Sequence, residues 1–314
     1  MSLFIGMDEA GYGPNLGPLV ITATAWDLPA NPRECDVWKL LSDVVSQDGW
    51  QEGKRLHIAD SKDVYSTAKG LKSLETSVHC ILQLAGVESS TFKTLWRQLA
   101  VHFPEDDVQE PWFVDDLPLP VLAAVGEVNH LADRLANCVA TAGIGRPRLR
   151  SDVVLTDRFN RLNSQHNSKG VTLSTLSLSL LRTLWEPSND DAALIVADKH
   201  GGRNRYDGLL AEILDGEMIF RVEEGRERST YRIGETEVRF QMKAEAHFPV
   251  AVASLVSKYL REIAMLSFNR FWRTHLPDLK ATQGYPVDAR RFKADIAEKQ
   301  AELAIPDQIL WRDR

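Results

Sequence analysis

Short apolar runs separated by glycine-rich or polar segments recur along the chain, and they predict strands. Residues 3–7 form such a run before a glycine-rich turn, and residues 17–26 resume with β-branched side chains, which predicts two paired strands. Another strand is predicted near residues 151–156. Residues 192–198 are continuously apolar and end on Asp198, a pattern typical of a strand buried on both faces.

Helical periodicity is interleaved with these strands. Apolar positions three and four residues apart predict helices over residues 66–84, 173–185 and 249–268, whereas residues 160–167 form a polar loop. Short alternating segments at 219–222, 229–233 and 237–242 predict an antiparallel meander. The fold class is therefore α/β, with a mixed sheet covered on both faces by helices.

The predicted domain organisation follows from the segments in which the alternation of strand and helix patterns is interrupted. Residues 85–148 are interrupted by prolines before an apolar helix, so we interpret them as an inserted segment or cap. We expect one catalytic domain over residues 1–265, with residues 266–314 as a C-terminal helical extension that packs on the same domain.

Composition excludes few functions. The net charge of -7 argues against a protein that wraps nucleic acid over its whole surface, although it permits a local basic groove. No apolar run approaches the roughly 18 residues that a membrane span needs, and residues 1–8 lack a basic leader, so we expect a cytoplasmic protein with no membrane partner. The 3 cysteines lack metal-binding spacing and are interpreted as buried thiols.

Candidate chemistry lies in acidic residues at strand ends. Asp8 and Glu9 close the first predicted strand, Asp198 closes the buried one, and Glu245 follows the last segment of the meander. In an open α/β sheet, side chains from separate strand ends can converge on one ligand. Carboxylate oxygens suit Mg²⁺ or Mn²⁺, and a pair of such ions supports phosphodiester hydrolysis.

A purely structural interpretation stays open beside this one. An acidic residue at a strand end is usually a solvated turn residue. Asp8 and Glu9 would also point to opposite faces if the strand continued through both, although Gly11 and Gly13 permit a turn that breaks the alternation.

The segment from Asp8 to Val20 resembles the signature of ribonucleases HII and HIII, in which Asp-Glu precedes a Gly-basic-Gly turn and a Gly-Pro pair. Residues 60–62 resemble the family's Asp-Ser-Lys segment, residues 243–254 its segment with a fourth carboxylate, and residues 284–286 its C-terminal Gly-Tyr. The resemblance covers roughly residues 1–65 and 150–290. Tyr12 departs from it, because the family has a basic residue there.

The resemblance implies an RNase H-like fold and hydrolysis of RNA paired with DNA, or of DNA that contains ribonucleotides, giving 5′-phosphate and 3′-hydroxyl ends. It implies that the catalytic carboxylates bind two divalent ions, Mg²⁺ or Mn²⁺, with Asp8 bridging both; this set is Asp8, Glu9, Asp198 and Glu245. The expected substrate-binding residues are Gly11, Tyr12, Gly13, Ser61, Lys62, Arg203 and Tyr285.

Arg203 joins this set for a different reason. It lies in a glycine-rich loop directly after Asp198, where an arginine can hold phosphate, although a plain strand-to-helix turn with solvated arginines explains the loop equally well.

Three functions compete. The first is a monomeric two-metal nuclease acting on RNA/DNA hybrids or embedded ribonucleotides. The second is a non-catalytic nucleic-acid-binding module on an RNase H-like fold, and the third is an enzyme of that fold acting on another phosphate ester. Four carboxylates favour an enzyme, because clustered negative charge weakens the binding of phosphate unless cations are present.

Overall fold

The protein is described here by a computed structural model that covers residues 2–50, 53–104, 110–187, 192–214 and 216–313. Its strands are β1 (Ser2–Ala10), β2 (Leu19–Leu28), β3 (Val45–Ser46), β4 (Leu56–His57), β5 (Arg148–Val154), β6 (Ala193–Asp198), β7 (Ile219–Glu224), β8 (Arg228–Ile233) and β9 (Thr236–Gln241).

The helices alternate with these strands. They are α1 (Val37–Leu40), α2 (Ser61–Val64), α3 (Lys72–Ala85), α4 (Phe92–Leu99), α5 (Val125–Thr141), α6 (Thr156–His166), α7 (Lys169–Leu181), α8 (Asp207–Ile213), α9 (Phe248–His275), α10 (Pro286–Glu302) and α11 (Asp307–Leu310). Residues 111–113 and 244–246 form short 3-10 turns.

A mixed sheet of 7 strands, in the order β5-β2-β1-β6-β9-β8-β7, organises the described residues. β2 is antiparallel to both β1 and β5, whereas β1, β6 and β9 run parallel to one another. β7, β8 and β9 form the predicted antiparallel meander. β3 and β4 form a small separate pair. The predicted RNase H-like mixed sheet flanked by helices is confirmed.

Each face of the sheet buries its own apolar core, because alternate side chains of β1 point to opposite sides. Ile5 and Met7 pack with residues of α7 and α8 on one face. Phe4 packs with α9 on the other face, in a core that also includes α3 and α5. A Cβ on Gly6 would lie 2.2 Å from the backbone of Pro249 and Val250, so only glycine lets the start of α9 approach β1 this closely.

Several predicted boundaries are wrong. The helix predicted over 173–185 is α7, which starts and ends four residues earlier, and the helix predicted over 249–268 continues to His275. Residues 66–70 form a turn and the helix begins only at Lys72, so the predicted helix over 66–84 starts too early. The polar stretch at 160–167 is not a loop, because α6 covers it to His166. Helix α6 buries only Thr156 and Phe159, which leaves too few apolar positions for its periodicity to show in the sequence.

The predicted inserted segment contains two helices. Helix α4 and helix α5 lie within residues 85–148, and α5 packs against α3. The buried Glu75 carboxylate of α3 accepts hydrogen bonds from the backbone N–H groups of Val121, Leu122 and Ala123 at 2.6 to 2.7 Å, which fixes the segment to the rest of the chain.

The C-terminal part is helical, as expected. Phe292 and Ile296 of α10 belong to the same apolar core as α9. Helix α9 runs without interruption across residue 265, and the division of the chain there stays a prediction. No described helix is both long and apolar enough to cross a bilayer. All 3 cysteines are free; Cys80 is buried, but Cys35 and Cys138 are only half-buried, contrary to the prediction.

Candidate metal centre

Two of the predicted carboxylates lie at the ends of neighbouring parallel strands. The last paired residues of β1 and β6 are Met7 and Ala197, so Asp8 and Asp198 follow side by side at the same edge of the sheet. Parallel strands present their carboxyl ends together, and ligands of open α/β sheets collect there.

Glu9 still belongs to β1, so no turn breaks the alternation of side chains between Asp8 and Glu9. β1 continues through Ala10, still paired with β2, and the turn starts at Gly11. Asp8 is only 8% exposed, whereas Glu9 is half-buried. The backbone N–H of Glu9 donates to Asp8 Oδ1 at 2.8 Å, and this hydrogen bond orients the Asp8 carboxylate.

The fourth carboxylate arrives from the next strand. β9 lies beside β6, with Asp198 opposite Gln241, and the chain then enters the 3-10 turn that contains Glu245. Lys243 begins this turn in the left-handed region, with a φ of 56°. The Asp198 carboxylate accepts hydrogen bonds from the backbone N–H groups of Ala244 and Lys199, so the turn and the strand end are tied together.

These carboxylates influence one another electrostatically. Burial raises the pKa of Asp8 well above its ordinary value, and repulsion from Glu9 and Glu245 raises it further. Burial, followed by repulsion from Asp198 and Glu245, raises the pKa of Glu9 to about 8. Burial also raises the pKa values of Asp198 and Glu245. The four groups thus form one cluster of electrostatically coupled carboxylates, whose repulsion Lys62 offsets only in part.

Such a cluster has the donor chemistry of a magnesium or manganese site, because every candidate ligand atom is a carboxylate oxygen. Within residues 2–50, 53–104, 110–187, 192–214 and 216–313, no three His, Cys, Asp or Glu side chains are already arranged around a single ion position. The carboxylates therefore share one region of the fold without forming a closed ligand set.

Helix α9 supports Asp8 from behind. Ser254 donates a side-chain hydrogen bond to the Asp8 carboxylate, which opposes the rise in its pKa. Ser257 Oγ lies 3.1 Å from the Asp8 carbonyl oxygen and 2.8 Å from Thr22 Oγ1, so the hydroxyl joins β1 to β2 as well. Neither serine was predicted as a site residue, because the sequence does not show which face of α9 meets β1.

The glycine-rich turn begins directly after β1. Gly11 has a φ of +88°, and a Cβ there would lie 2.5 Å from Arg261 Nε, so both its conformation and its surroundings require glycine. Gly13 is exposed, with open space where a Cβ would be. Tyr12 is half-buried against the α7 side of the sheet.

Ser61 and Lys62 begin α2, which places them close to the carboxylates. The Asp60 side chain caps this helix by accepting from Lys62 N at 2.9 Å. Attraction to Asp60, then to Glu245, Asp8 and Asp198, raises the pKa of Lys62, whose side chain is 85% exposed. Asp60 itself contributes to the rise in the pKa of Glu245. It is a fifth carboxylate near the centre that the sequence analysis did not select.

Arg203 and Tyr285 approach the turn from separate elements. Attraction from Arg203 opposes the rise in the Tyr12 pKa that burial and Glu9 cause. Tyr285 is 52% exposed, and Arg261 Cζ lies 6.0 Å from the centre of its ring. The carbonyl of the preceding Gly284 accepts from Asn15 N at 2.8 Å, so Tyr285 joins the site through the turn.

The turn is also held by a residue from the far end of the chain. Arg312 is 1% exposed, and its guanidinium donates to the carbonyl oxygens of Gly11 and Pro14. The backbones of Asn15 and Arg312 pair as well, with Arg312 N donating to Asn15 O at 2.8 Å. The sequence places Arg312 and Gly11 301 residues apart and contains no signal that joins them.

No family model matches this chain, and no curated protein matches it. Solved structures of similar shape exist. Ribonuclease HII of Archaeoglobus fulgidus, from a complex with PCNA, is 14% identical with a TM-score of 0.43, and the match covers 99% of this chain and 94% of that one. Ribonuclease H2 from Pyrococcus horikoshii OT3 is 14% identical with a TM-score of 0.46, over 98% and 92% of the two chains.

A third similar structure is Bst-RNase HIII in complex with Mn²⁺, which is 13% identical with a TM-score of 0.43, over 99% of this chain and 66% of that one. These likenesses concern shape. On the topology of its own sheet and helices, the chain has an RNase H-like α/β fold.

Proposed function

We propose that this protein is a metal-dependent endoribonuclease that cleaves the RNA strand of RNA/DNA hybrids, or DNA at embedded ribonucleotides, leaving 5′-phosphate and 3′-hydroxyl ends. The observation that carries the proposal is the gathering of Asp8, Glu9, Asp198 and Glu245 at one edge of the sheet. Burial raises the pKa of each, and repulsion within the cluster raises those of Asp8, Glu9 and Glu245 further. Negative charge held together at this cost in free energy calls for cations.

The four carboxylates would hold two Mg²⁺ or Mn²⁺ ions, with Asp8 as the ligand shared between them. Two such ions, when bound, activate water and stabilise the leaving oxygen of a phosphodiester. The chain's own contribution is orientation: Ser254 fixes the Asp8 carboxylate, and the N–H groups of Ala244 and Lys199 fix that of Asp198.

Substrate binding belongs to the residues around this edge. The backbone at Gly11, Tyr12 and Gly13 would approach the ribose closely, since Gly13 is exposed and carries no side chain. The exposed ammonium of Lys62, next to Ser61, would meet a phosphate, as would Arg203. Tyr285, which is 52% exposed, would pack on a sugar. We further propose that the enzyme acts as a monomer in the cytoplasm.

The direct test uses two substrates: a DNA duplex with a single embedded ribonucleotide and a longer RNA/DNA hybrid, each with Mg²⁺ or Mn²⁺. We expect cleavage of at least one, with the ends stated above. Tight binding without cleavage of either would contradict the enzymatic proposal and favour the non-catalytic binding module. Cleavage of other phosphate esters alone would favour the third hypothesis.

Asp8→Asn identifies the site. We expect cleavage to fall by about three orders of magnitude or more, because a ligand shared by both ions is lost. Mg²⁺ should raise the Tm of the wild type more than that of Asp8→Asn. This difference measures metal binding independently of cleavage activity. Asp133→Asn, an exposed acidic residue on α5, is the matched control. A near wild-type rate for Asp8→Asn would show that the site lies elsewhere.

A further inference from the structure

Tyr12 is the point where three segments of the chain meet. Lys169, the first residue of α7, places its Nζ 4.7 Å from the centre of the Tyr12 ring. A Cβ on Gly201, in the loop after β6, would lie 3.1 Å from Tyr12 Oη. A Cβ on Gly170 would lie 3.8 Å from that oxygen and 4.0 Å from Arg203 Nη2. The ring is thus enclosed by two segments, each of which carries a cation.

These cations lie beside the carboxylate cluster and not within it. Tyr12 follows Glu9 by three residues, and the charge of Glu9 and that of Arg203 act on the phenol in opposite directions. An ammonium near an aromatic face is attracted by the ring's quadrupole and is held in a defined position by it. A phosphate next to the one being cleaved would therefore meet positive charge at this place.

Lys169 lies at the end of its helix where the helix dipole disfavours positive charge. Helix α7 begins at Lys169 after its cap, Ser168, and its first turn, which the structure describes in full, contains no acidic residue. The N-terminus of a helix carries partial positive charge, so a lysine in the first position is unfavourable. The helix dipole therefore does not account for a lysine at this position.

We propose that Lys169, held against the ring of Tyr12, binds a backbone phosphate of the nucleic-acid strand together with Arg203. In this arrangement Tyr12 is a positioning residue. Its ring holds the ammonium of Lys169, which belongs to α7, next to the glycine-rich turn. The inference rests on the proposed function, because it takes the strand at the carboxylate cluster to be nucleic acid.

The test measures hybrid binding in an Asp8→Asn background, which keeps the substrate intact, by fluorescence anisotropy over a range of salt concentrations. For Lys169→Gln we expect Kd to rise about 5- to 10-fold and the salt dependence to fall by about one phosphate contact. We expect little change in Tm, because glutamine keeps most of the side chain and the start of a helix disfavours positive charge. In the active background, KM should rise while kcat changes less than about twofold.

Arg182→Gln is the matched control, because Arg182 caps the opposite end of α7 and forms an exposed ion pair with Glu186 at 3.3 Å. We expect no change in Kd. If the wild type cleaves the hybrid and Lys169→Gln binds and cleaves it equally well, only the role of Lys169 is overturned. A wild type that neither binds nor cleaves the hybrid would overturn the proposed function as well.

The positioning role of Tyr12 is tested separately. Tyr12→Phe keeps the ring and should keep Kd near its wild-type value. Tyr12→Leu should weaken binding about as much as Lys169→Gln, and the double variant should be no weaker than the poorer single variant. Additive losses in the double variant would show that the two residues act independently, which contradicts the arrangement.

Discussion

The carboxylates at the edge of the sheet are oriented by neutral donors, and each donor belongs to a different part of the chain. Ser254 on α9 donates to Asp8, whereas the backbone N–H groups of Ala244, in the 244–246 turn, and of Lys199, directly after β6, donate to Asp198. Removing a donor that orients a metal ligand typically costs about 10- to 100-fold in metal affinity or activity.

Ser254→Ala should therefore weaken metal binding without unfolding the protein. We expect the Mg²⁺ concentration for half-maximal cleavage to rise about tenfold, because the Asp8 carboxylate loses the hydroxyl that fixes it. Metal titrations of the cleavage rate provide the measurement. Ser267→Ala removes another buried hydroxyl farther along α9 and should leave the titration unchanged. Equal curves for wild type and Ser254→Ala would refute the role of Ser254.

Glu110 makes stability depend on pH. Its carboxylate is 2% exposed and accepts from Thr156 N and Trp112 Nε1, each at 2.8 Å. Burial raises its pKa from 4.5 to about 7. The raised value means that the folded state binds the proton more tightly, so the contribution of Glu110 to stability is full below about pH 4.5 and is lost as pH rises through about 7.

In Glu110→Gln this dependence is removed. We expect the wild type to lose about 2 kcal/mol relative to the variant between pH 5 and pH 8, whatever constant difference the amide introduces. Urea denaturation at intervals of half a pH unit measures the change. Buried His200, whose pKa burial lowers to about 3, is common to both proteins and cancels in the comparison. Parallel curves for the two proteins would contradict a raised pKa at Glu110.

At the scale of single residues, the sequence predicts the candidate metal ligands better than it predicts the residues that lie around them and orient them. Asp8 and Asp198 could be selected because each closes an apolar run, a local feature of the chain. Asp60 lies in the Asp-Ser-Lys segment, from which only the serine and the lysine are predicted as site residues. Ser254 could not be selected, because its proximity to the cluster depends on how α9 packs against the sheet. Packing of this kind leaves no mark on the local sequence.

Among the elements, α9 has the largest part in positioning the site, and its position depends on one glycine. It lies across β1 and β2, where Thr24 Oγ1 donates to the Pro249 carbonyl at 2.8 Å and Gly6 admits the backbone of its first turn. Ser254 and Ser257 follow one and two turns later, so the same approach brings them to Asp8.

Gly6→Ala should displace this helix. A Cβ 2.2 Å from the backbone of Pro249 cannot be accommodated by a side-chain movement, so we expect a loss of about 3 kcal/mol or more in the free energy of unfolding and a comparable loss of cleavage. Gly13→Ala, in the same part of the chain but with open space around the new methyl group, should change stability by less than about 0.5 kcal/mol. Equal stabilities for the two variants would disprove the close approach.

Element prediction succeeded where burial makes the pattern strong. β6 is buried on both faces and reads as a continuous apolar run, so its end at Asp198 matches the prediction. The sequence does not predict α6, because most of this helix faces solvent. It predicts the start of α3 too early, because Ser66 suggests a helix cap while its backbone forms a turn. Tertiary packing decides such boundaries, and local propensity does not.

In the molecule as a whole, the last described residues return to the first turn. Arg312 is fully enclosed, between the Gly11 and Pro14 carbonyls on one side and the Phe159 ring, 5.1 Å from Arg312 Cζ, on another. Burial lowers its pKa to about 9, and repulsion from Arg261 contributes to this. The glycine-rich turn is thus fixed by a contact between residues 11–14 and Arg312, which forms only when both segments are folded in place.

Arg312→Met tests whether this contact serves the site as well as the fold. Methionine fills much of the volume but donates no hydrogen bond, which leaves two buried carbonyl oxygens unpaired, so we expect a loss of about 2 to 4 kcal/mol in the free energy of unfolding. Well below the Tm of the variant, KM for the hybrid should rise severalfold, because the loosened turn carries Gly11, Tyr12 and Gly13. Asp313→Ala, which changes only an exposed neighbour, should match the wild type in both measurements. If Arg312→Met lost stability but kept the wild-type KM, the contact would serve the fold alone.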